Sequence, residues 1–358
     1  MLSRRGVRSG ARAATRATKA AGGPGTREKK TALQVAPSTA KKAAPRFNVL
    51  VMATVSAGKS SLINALIGRE LLHSANEATT ACVASIEHRP DQSGFHGRCL
   101  SSTGRELVRH DDVSADQIRS WNGDAHVRRI DLSGPFRSSR GLANRLVLHD
   151  TPGPNNSMDA DHEKRVFDAW RKIPVQFVLY VLDIGQLTTA DNKALLLKLH
   201  RRIKARPGLR IAFVLNKVDL LDRERGEDLQ AYVAQARAFL EEAGFAEPMV
   251  IPTMAAAALY ATMARHDEPL TRGQRARLRQ ALQAMEDHEQ GLVSAAIVPA
   301  AVRRRVLKDL SELEPIRPAL SGGDQALATE DWQRLVCMSG IRTIEHLIEH
   351  QRNAYEKS

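Results

Sequence analysis

The most informative part of the chain is Phe47-Asn-Val-Leu-Val-Met-Ala-Thr-Val-Ser-Ala-Gly-Lys-Ser60, an apolar run that passes into small and polar residues. The apolar part predicts a buried strand. The end matches the pattern G-x-x-x-x-G-K-[S/T], with Ala53 at the first glycine position. In that pattern, backbone N–H groups surround a β-phosphate, the lysine reaches the β and γ oxygens, and the hydroxyl binds Mg²⁺. The stretch therefore predicts a phosphate-binding loop.

A helix is predicted directly after this loop, because apolar residues recur at helical spacing through residues 60–67. Its N-terminal dipole would add to the attraction for phosphate. The predicted phosphate-binding residues are consecutive: Ser56, Ala57, Gly58, Lys59, Ser60 and Ser61. Alanine at position 53 would cost roughly 1–2 kcal/mol only if the backbone there were left-handed.

The rest of the body alternates between buried strands and helices. Strands are predicted at 145–149, 176–182, 210–215 and 249–251, and helices at 161–173, 189–205 and 227–243. This alternation predicts an α/β fold with a mostly parallel sheet and helices on both faces. Between residues 87 and 132 the pattern is weaker, and 127–132 predicts an antiparallel strand. After 249–251 we expect an exit loop that reaches residue 263.

Further phosphate and metal candidates follow the strand 145–149. Asp150 ends that strand and can hold Mg²⁺ through water, and the amide of Gly153 can contact a γ-phosphate. About twenty residues after the loop, Thr80 is the preferred candidate to complete the Mg²⁺ shell, with an ordinary threonine pair as the alternative. His149 alternates to the opposite face of the strand, so we expect it to pack rather than to act as a base.

A nucleobase site is predicted where the strand 210–215 ends in Asn216-Lys217-Val218-Asp219. The Asp219 carboxylate can accept hydrogen bonds from guanine N1–H and N2–H₂, a pair that adenine cannot make. The stem of Lys217 would lie over the base. Backbone amides around Ala255, after the last strand, are candidates to contact the guanine carbonyl.

These elements, in this order, resemble a P-loop GTPase, and more narrowly the dynamin superfamily. The resemblance rests on Val55-Ser-Ala-Gly-Lys-Ser-Ser-Leu-Ile-Asn-Ala-Leu-Ile-Gly68 and on Ser339-Gly-Ile-Arg-Thr-Ile-Glu-His-Leu-Ile348, which is similar to the closing helix of a dynamin GTPase domain. Residues 150–157 look closest to a bacterial dynamin-like subfamily that includes a replication-clamp-binding member. The resemblance covers roughly residues 46–352.

The resemblance implies GTP hydrolysis with Mg²⁺ as cofactor. By this similarity, Ser56 positions a charge-compensating cation, and Ser56, Lys59 and Thr80 are the catalytic candidates. The implied metal residues are Ser60, Thr80 and Asp150. Val55 and Pro154 stand where other GTPases place a glutamine, so the catalytic water lacks an obvious side-chain partner.

The family also implies a homodimer in which a partner GTPase domain meets this one across the nucleotide. Family members carry long helical stalks, whereas this chain ends ten residues after Ile348. The expectation is therefore a short end at 351–358 without a stalk, and a separate stalk-like partner protein.

Charge divides the chain into a tail and a body. Twelve of the 53 basic residues and one acid, Glu28, lie in residues 1–46, so this segment carries +11 of the net +13. It contains no aromatic residue, and such a composition predicts disorder. The GTPase domain is predicted at 47–350, with a helical insert at 264–330.

The tail has three interpretations: a solubilising segment, an electrostatic arm for DNA, RNA or anionic lipid, and a mitochondrial transit peptide, which is the least favoured. Three cysteines without metal-type spacing predict reduced thiols in a cytoplasmic protein, with peripheral attachment to membrane or nucleoid left open. Two alternatives to the dynamin-like enzyme also stay open. One is a slow, nucleotide-gated binding module for DNA or membrane, and the other is a ribosome-associated GTPase.

Overall fold

A computed structural model of the protein describes residues 45–54, 56–73, 82–137, 142, 145–151, 170, 173–286, 291–313 and 329–357. The strands within these ranges are β1 (Phe47–Ala53), β2 (Val83–His88), β3 (His96–Leu100), β4 (Glu106–His110), β5 (Arg129–Gly134), β6 (Leu146–Asp150), β7 (Phe177–Asp183), β8 (Arg210–Asn216) and β9 (Val250–Thr253). They form one sheet in the order β4-β3-β5-β2-β6-β1-β7-β8-β9.

The inner half of the sheet, β1 and β6–β9, is entirely parallel. Strand β1 lies between β6 and β7, so that Val51 stands opposite both Asp150 and Leu179. Every residue of β1, β6 and β7 is buried. Parallel strands that are covered on both faces are continuous apolar runs, and this is why the sequence identifies them.

The outer half, β2–β5, reverses direction. Strand β2 is antiparallel to β6 and parallel to β5, and β3 is antiparallel to β5 and to β4. All residues of β4 are exposed at the edge of the sheet. The strand predicted at 127–132 is β5, which begins two residues later. It runs opposite to β6, as predicted, although its immediate neighbour β2 runs parallel to it.

Ten α-helices lie in the described residues. They are α1 (Lys59–Ile67), α2 (Ala115–Gly123), α3 (Ala190–Lys204), α4 (Leu229–Glu242), α5 (Ala255–Arg265), α6 (Arg272–Glu286), α7 (Gly291–Ala295), α8 (Ala300–Ser311), α9 (Thr329–Met338) and α10 (Ile341–Glu356).

The two faces of the inner half bury separate hydrophobic clusters. Val49 and Val51 of β1 pack with residues of α1 and α10, including Leu62 and Ile344. The alternate residues Leu50 and Met52 lie in the other cluster, with residues of α3, α4 and α9. The helices therefore cover both faces, as an α/β fold requires.

A single glycine fixes the position of the closing helix α10. Gly340 has φ +89°, and a Cβ atom there would lie 2.3 Å from the Pro252 carbonyl oxygen. Glycine alone accommodates both the backbone angle and this close approach. Helix α10 can therefore begin directly against β9.

Two of the predicted helices correspond to α3 and α4, whereas the exit loop predicted after β9 is wrong. The chain forms α5 there, because its four consecutive alanines at 255–258 have the highest helix propensity. The described part of 264–330 holds α6, α7, α8 and the start of α9. Most of the helix predicted at 161–173, and the tail up to residue 44, lie outside the described residues.

Candidate nucleotide-binding site

The carboxyl ends of the parallel strands gather the predicted site at one edge of the sheet. Ala53 ends β1, Asp150 ends β6, and Asn216 ends β8. In open α/β sheets, ligands bind at this edge.

The backbone of the phosphate loop takes two left-handed turns. Ser56 has φ +61° and Gly58 has φ +90°. A Cβ atom at position 58 would lie 2.3 Å from Asn216 Nδ2, so that only glycine fits there. Ala53 is the last residue of β1 and therefore extended, so alanine at the first glycine position carries no left-handed strain. A non-glycine residue at positive φ is a strained conformation that clusters at functional sites, and Ser56 shows it.

Lys59 and Asp150 form a buried ion pair. The lysine is the first residue of α1 and the aspartate the last residue of β6. Their side chains are only 9% and 2% exposed, so each charge depends on the other for compensation. The structure thus brings together a cation predicted to contact phosphate and an acid predicted to hold the metal.

The loop is tied to the nucleobase side of the site by Asn216. Its Nδ2 donates to the Ala57 carbonyl at 3.0 Å, and its Oδ1 accepts from the Ala255 N–H at 3.2 Å. One side chain therefore joins the ends of β1, β8 and β9. The Ala255 amide, which the sequence predicts for the guanine carbonyl, donates to Asn216 in this structure.

Lys217 is held by an acid that sequence reasoning missed. It has φ +67°, and its Nζ lies 2.6 Å from Asp183 Oδ2. The other oxygen of Asp183 accepts from the Gly185 N–H at 2.9 Å. Asp183 ends the buried strand β7, the same signal that identified Asp150, so the sequence could have revealed it.

Asp219 is nearly buried at the turn Val218–Leu220. Burial raises the pKa of its carboxyl group, while its own backbone N–H and the positive charges of Arg277 and Lys217 oppose that rise. Arg277 lies on α6, which packs against this turn, and it hydrogen-bonds Tyr260 of α5. No local signal marks Arg277, because it is one of four arginines in residues 271–280.

The residues present fit a hard divalent cation. Ser60 in the first turn of α1 and Asp150 at the end of β6 offer oxygen donors, which Mg²⁺ prefers. Within the described ranges, no group of three or more His, Cys, Asp and Glu side chains could hold a metal ion. This is compatible with Mg²⁺, which is usually bound through one or two protein oxygens together with substrate phosphates.

Several predicted residues cannot be placed. Thr80 and Gly153, together with Val55 and Pro154, lie outside the described residues. His149 faces away from the site, and its ring bonds Ser85 and Asn48. Ser61 lies in α1 beside Ser60.

The phosphate loop, the acid at the end of β6 and the Asn216–Asp219 turn define a P-loop GTPase fold. Residues 49–218 match the sequence model described as the Dynamin family. This part of the chain is therefore similar to the GTPase domain of the Dynamin family.

Solved structures with similar chains include two on an oligomerised bacterial dynamin pair described as sensing and tethering membranes. They share 16% and 17% identity, over 75% and 76% of this chain and 42% of theirs, with TM-scores of 0.47 and 0.44. A third is Era of Aquifex aeolicus bound to GDP and AlF₄⁻, with 12% identity over 58% of this chain and 50% of that one, and a TM-score of 0.33. The chain thus spans 42% of the length of the bacterial dynamin chains. No curated protein sequence matches it.

Among the helices described, none is long and apolar enough to cross a membrane.

Proposed function

We propose that the protein binds GTP with Mg²⁺ and hydrolyses it to GDP and phosphate. The observation that carries this proposal is the Asn216 side chain, which joins the phosphate loop to the strand ends beside Asp219. A phosphate site and a guanine-reading carboxylate are thereby held in one rigid unit. Such coupling is what selective binding of a guanine nucleotide requires.

The buried pair of Lys59 and Asp150 supplies the electrostatics. The Lys59 ammonium would contact the β and γ oxygens of a bound nucleotide, and Ser60 and Asp150 would hold the Mg²⁺ ion. The ion would neutralise charge on those oxygens. The strained turn at Ser56 aims backbone N–H groups at the same phosphates. Thr80 and Gly153 are proposed to complete the γ-phosphate side.

Hydrolysis is proposed to depend on a second copy of the chain. Neither valine at position 55 nor proline at position 154 can orient water. An unassisted GTPase turns over at roughly 10⁻⁴ s⁻¹, and a supplied group can add about 10⁵-fold. By the dynamin resemblance, the supplier is another GTPase domain that meets this one across the nucleotide.

The test is GTP turnover measured over about a hundredfold range of protein concentration, with light scattering in the presence and absence of a GTP-like transition-state mimic. Specific activity should rise with concentration, and the mimic should shift monomer to dimer. Constant specific activity from a monomer would contradict activation by dimerisation and would favour the slow, nucleotide-gated binding module.

A separate test concerns the base. ATP affinity comparable to GTP affinity would contradict the guanine assignment.

The basic tail is proposed as an electrostatic arm, because +11 of the net +13 lies in residues 1–46. Attachment to anionic membrane or to nucleic acid should weaken steeply with salt. Removal of residues 1–46 should weaken that attachment while leaving nucleotide binding unchanged. The same proposal includes three further points. The protein is cytoplasmic with peripheral attachment, a separate protein is its stalk-like partner, and the GTPase domain spans residues 47–350.

A further inference from the structure

The outer half of the sheet, together with the adjoining strand β6, has one apolar face and one polar face. Leu148, Ile86 and Leu132 point into the hydrophobic core. The alternate residues form a row of directly opposed polar side chains that crosses five strands: His149, Ser85, Asp131, Arg98 and Arg109. A face of this kind does not contribute to the core, so its residues need another explanation.

This polar face forms the wall of a cavity of about 610 Å³, called here the sheet-face cavity. Its charged lining comprises five arginines and two acids, a surplus of three positive charges. The arginines are Arg46, Arg89, Arg98, Arg109 and Arg129. The acids are Glu87 and Asp131. The volume is that of a small-molecule site rather than of a flat contact.

The floor of the cavity is a buried hydrogen-bonded network. The His149 ring lies 3.0 Å from Ser85 Oγ on one side and 3.0 Å from Asn48 Oδ1 on the other. Burial lowers the pKa of His149 to about 3, and the positive charges of Arg129 and Arg46 act in the same direction. The histidine is therefore neutral at physiological pH. The positive potential of the cavity comes from its arginines.

Acids at the cavity are shared between arginines. Asp131 pairs with Arg98 at 3.0 Å and with Arg129 at 2.5 Å. Glu106, just outside the lining, pairs with Arg109 at 2.6 Å and lies 3.6 Å from Arg98. If Arg109 and Arg129 turned to an incoming anion, both acids would keep Arg98 as a partner. The desolvation penalty of an unpaired carboxylate is thus avoided.

We propose that the sheet-face cavity binds a phosphate-bearing small molecule, held by Arg109 and Arg129. The planar guanidinium fork matches phosphate oxygens bidentately. Both side chains are more than half exposed, at 57% and 54%, and so can reach a ligand. The phosphate belongs either to a soluble metabolite or to a lipid headgroup. The site is separate from the nucleotide site, since His149 and Asp150 are consecutive residues that face opposite sides of β6.

The test is calorimetric titration of inorganic pyrophosphate into the full-length protein with GDP in excess. The cavity variant is Arg109→Ala with Arg129→Ala, which leaves each acid paired with Arg98. The matched control is Lys193→Ala with Arg237→Ala, two exposed cations on α3 and α4 that pair with Glu242 and Glu241. We expect the cavity variant to bind pyrophosphate at least tenfold more weakly than the wild type and the control.

A parallel arm uses co-sedimentation with phosphatidylcholine vesicles that contain or lack phosphatidylglycerol. If the cavity variant also loses binding to the anionic vesicles, the phosphate belongs to a lipid headgroup. If it loses binding to pyrophosphate alone, the phosphate belongs to a soluble metabolite. Unchanged pyrophosphate binding in the cavity variant, or an equal loss in the control, would overturn the proposal. The proposal would also be overturned if citrate bound to the cavity arginines more tightly than pyrophosphate does. The same holds if the cavity variant lost binding only to an oligonucleotide. The comparison of the variants identifies the pyrophosphate binding that depends on Arg109 and Arg129 even if GDP does not occupy the phosphate loop.

Discussion

The inner and outer halves of the sheet differ in how many of their faces are buried. The inner half is parallel and buried on both faces, so most of its side chains build core and the proposed nucleotide site lies at its carboxyl ends. The outer half is buried on one face only, so whole rows of side chains are left for charge. The difference teaches where function can reside: at the edge of a fully covered sheet, and on the face of a half-covered one.

The first prediction disrupts the inner half at its charged centre. Lys59→Ala should abolish GTP turnover, because the lysine is the proposed contact to the β and γ phosphate oxygens. It should also destabilise the fold by about 3–5 kcal/mol, because a buried carboxylate loses its partner. Turnover and urea unfolding in the absence of nucleotide measure the two effects.

The matched control adds Asp150→Asn to Lys59→Ala. The double variant should recover most of the stability, since no uncompensated charge is left, yet remain inactive. If the single variant unfolded like the wild type, the Lys59–Asp150 pair would not be a source of stability.

The second prediction changes the base preference. Asp219→Asn should weaken GTP binding and improve binding of xanthosine triphosphate, whose position 2 carries an acceptor oxygen instead of an amino group. Loss of two charge-assisted hydrogen bonds of roughly 1.5–3 kcal/mol each predicts at least a hundredfold weaker guanine binding. Competition against a fluorescent guanine nucleotide measures both affinities. An unchanged ratio of guanine to xanthine affinity would contradict the assignment of Asp219.

The same difference in burial decides how much of each half can be predicted from the sequence. Strands such as β7 are uninterrupted apolar runs, so the order of elements in the inner half and the residues at its carboxyl ends could be predicted. Strand β4, Glu-Leu-Val-Arg-His, is exposed throughout and carries no such pattern. The outer half was therefore predicted only at β5.

Contacts between distant residues could not be predicted in either half. The Asn216 bridge to Ala57 spans 159 residues, and it depends on a backbone approach that only the folded loop creates. Arg277 meets the turn Val218–Leu220 because α6 packs there, and no local pattern distinguishes this arginine from its neighbours. The capping box of Ser114 and Gln117 was a readable signal for α2 that sequence reasoning overlooked.

The third prediction concerns pH at the turn Val218–Leu220, which carries Asp219. In the proposed site, guanine pairs with the ionised form of Asp219, so binding should be present above the pKa of this carboxyl group and be lost as pH falls through it. Because Arg277 lowers that pKa, Arg277→Gln should raise it and move the loss of GDP affinity to higher pH.

Lys217 in the same turn is unchanged in this variant, and Tyr260 also faces Asp219, so the expected shift of the pH profile is small. GDP dissociation constants from about pH 5 to about pH 8 measure it. Arg279→Gln, on the same helix, is the control and should leave the profile in place. Identical profiles for Arg277→Gln and the wild type would remove Arg277 from the base site.

The smallest predicted effect tests whether the two halves are independent. Ser114 accepts from the Gln117 N–H at 3.2 Å and caps α2 against the outer half, whereas Asp228 accepts from the Ala231 N–H at 2.8 Å and caps α4 against the inner half. Ser114→Ala and Asp228→Ala should each cost about 1 kcal/mol of stability. Neither should change GDP affinity, because no capping atom contacts the nucleotide site, and thermal unfolding with GDP titration measures both quantities. A loss of GDP affinity in Ser114→Ala alone would show that the outer half communicates with the nucleotide through β2 and β6. A ligand in the sheet-face cavity could then regulate GTP turnover.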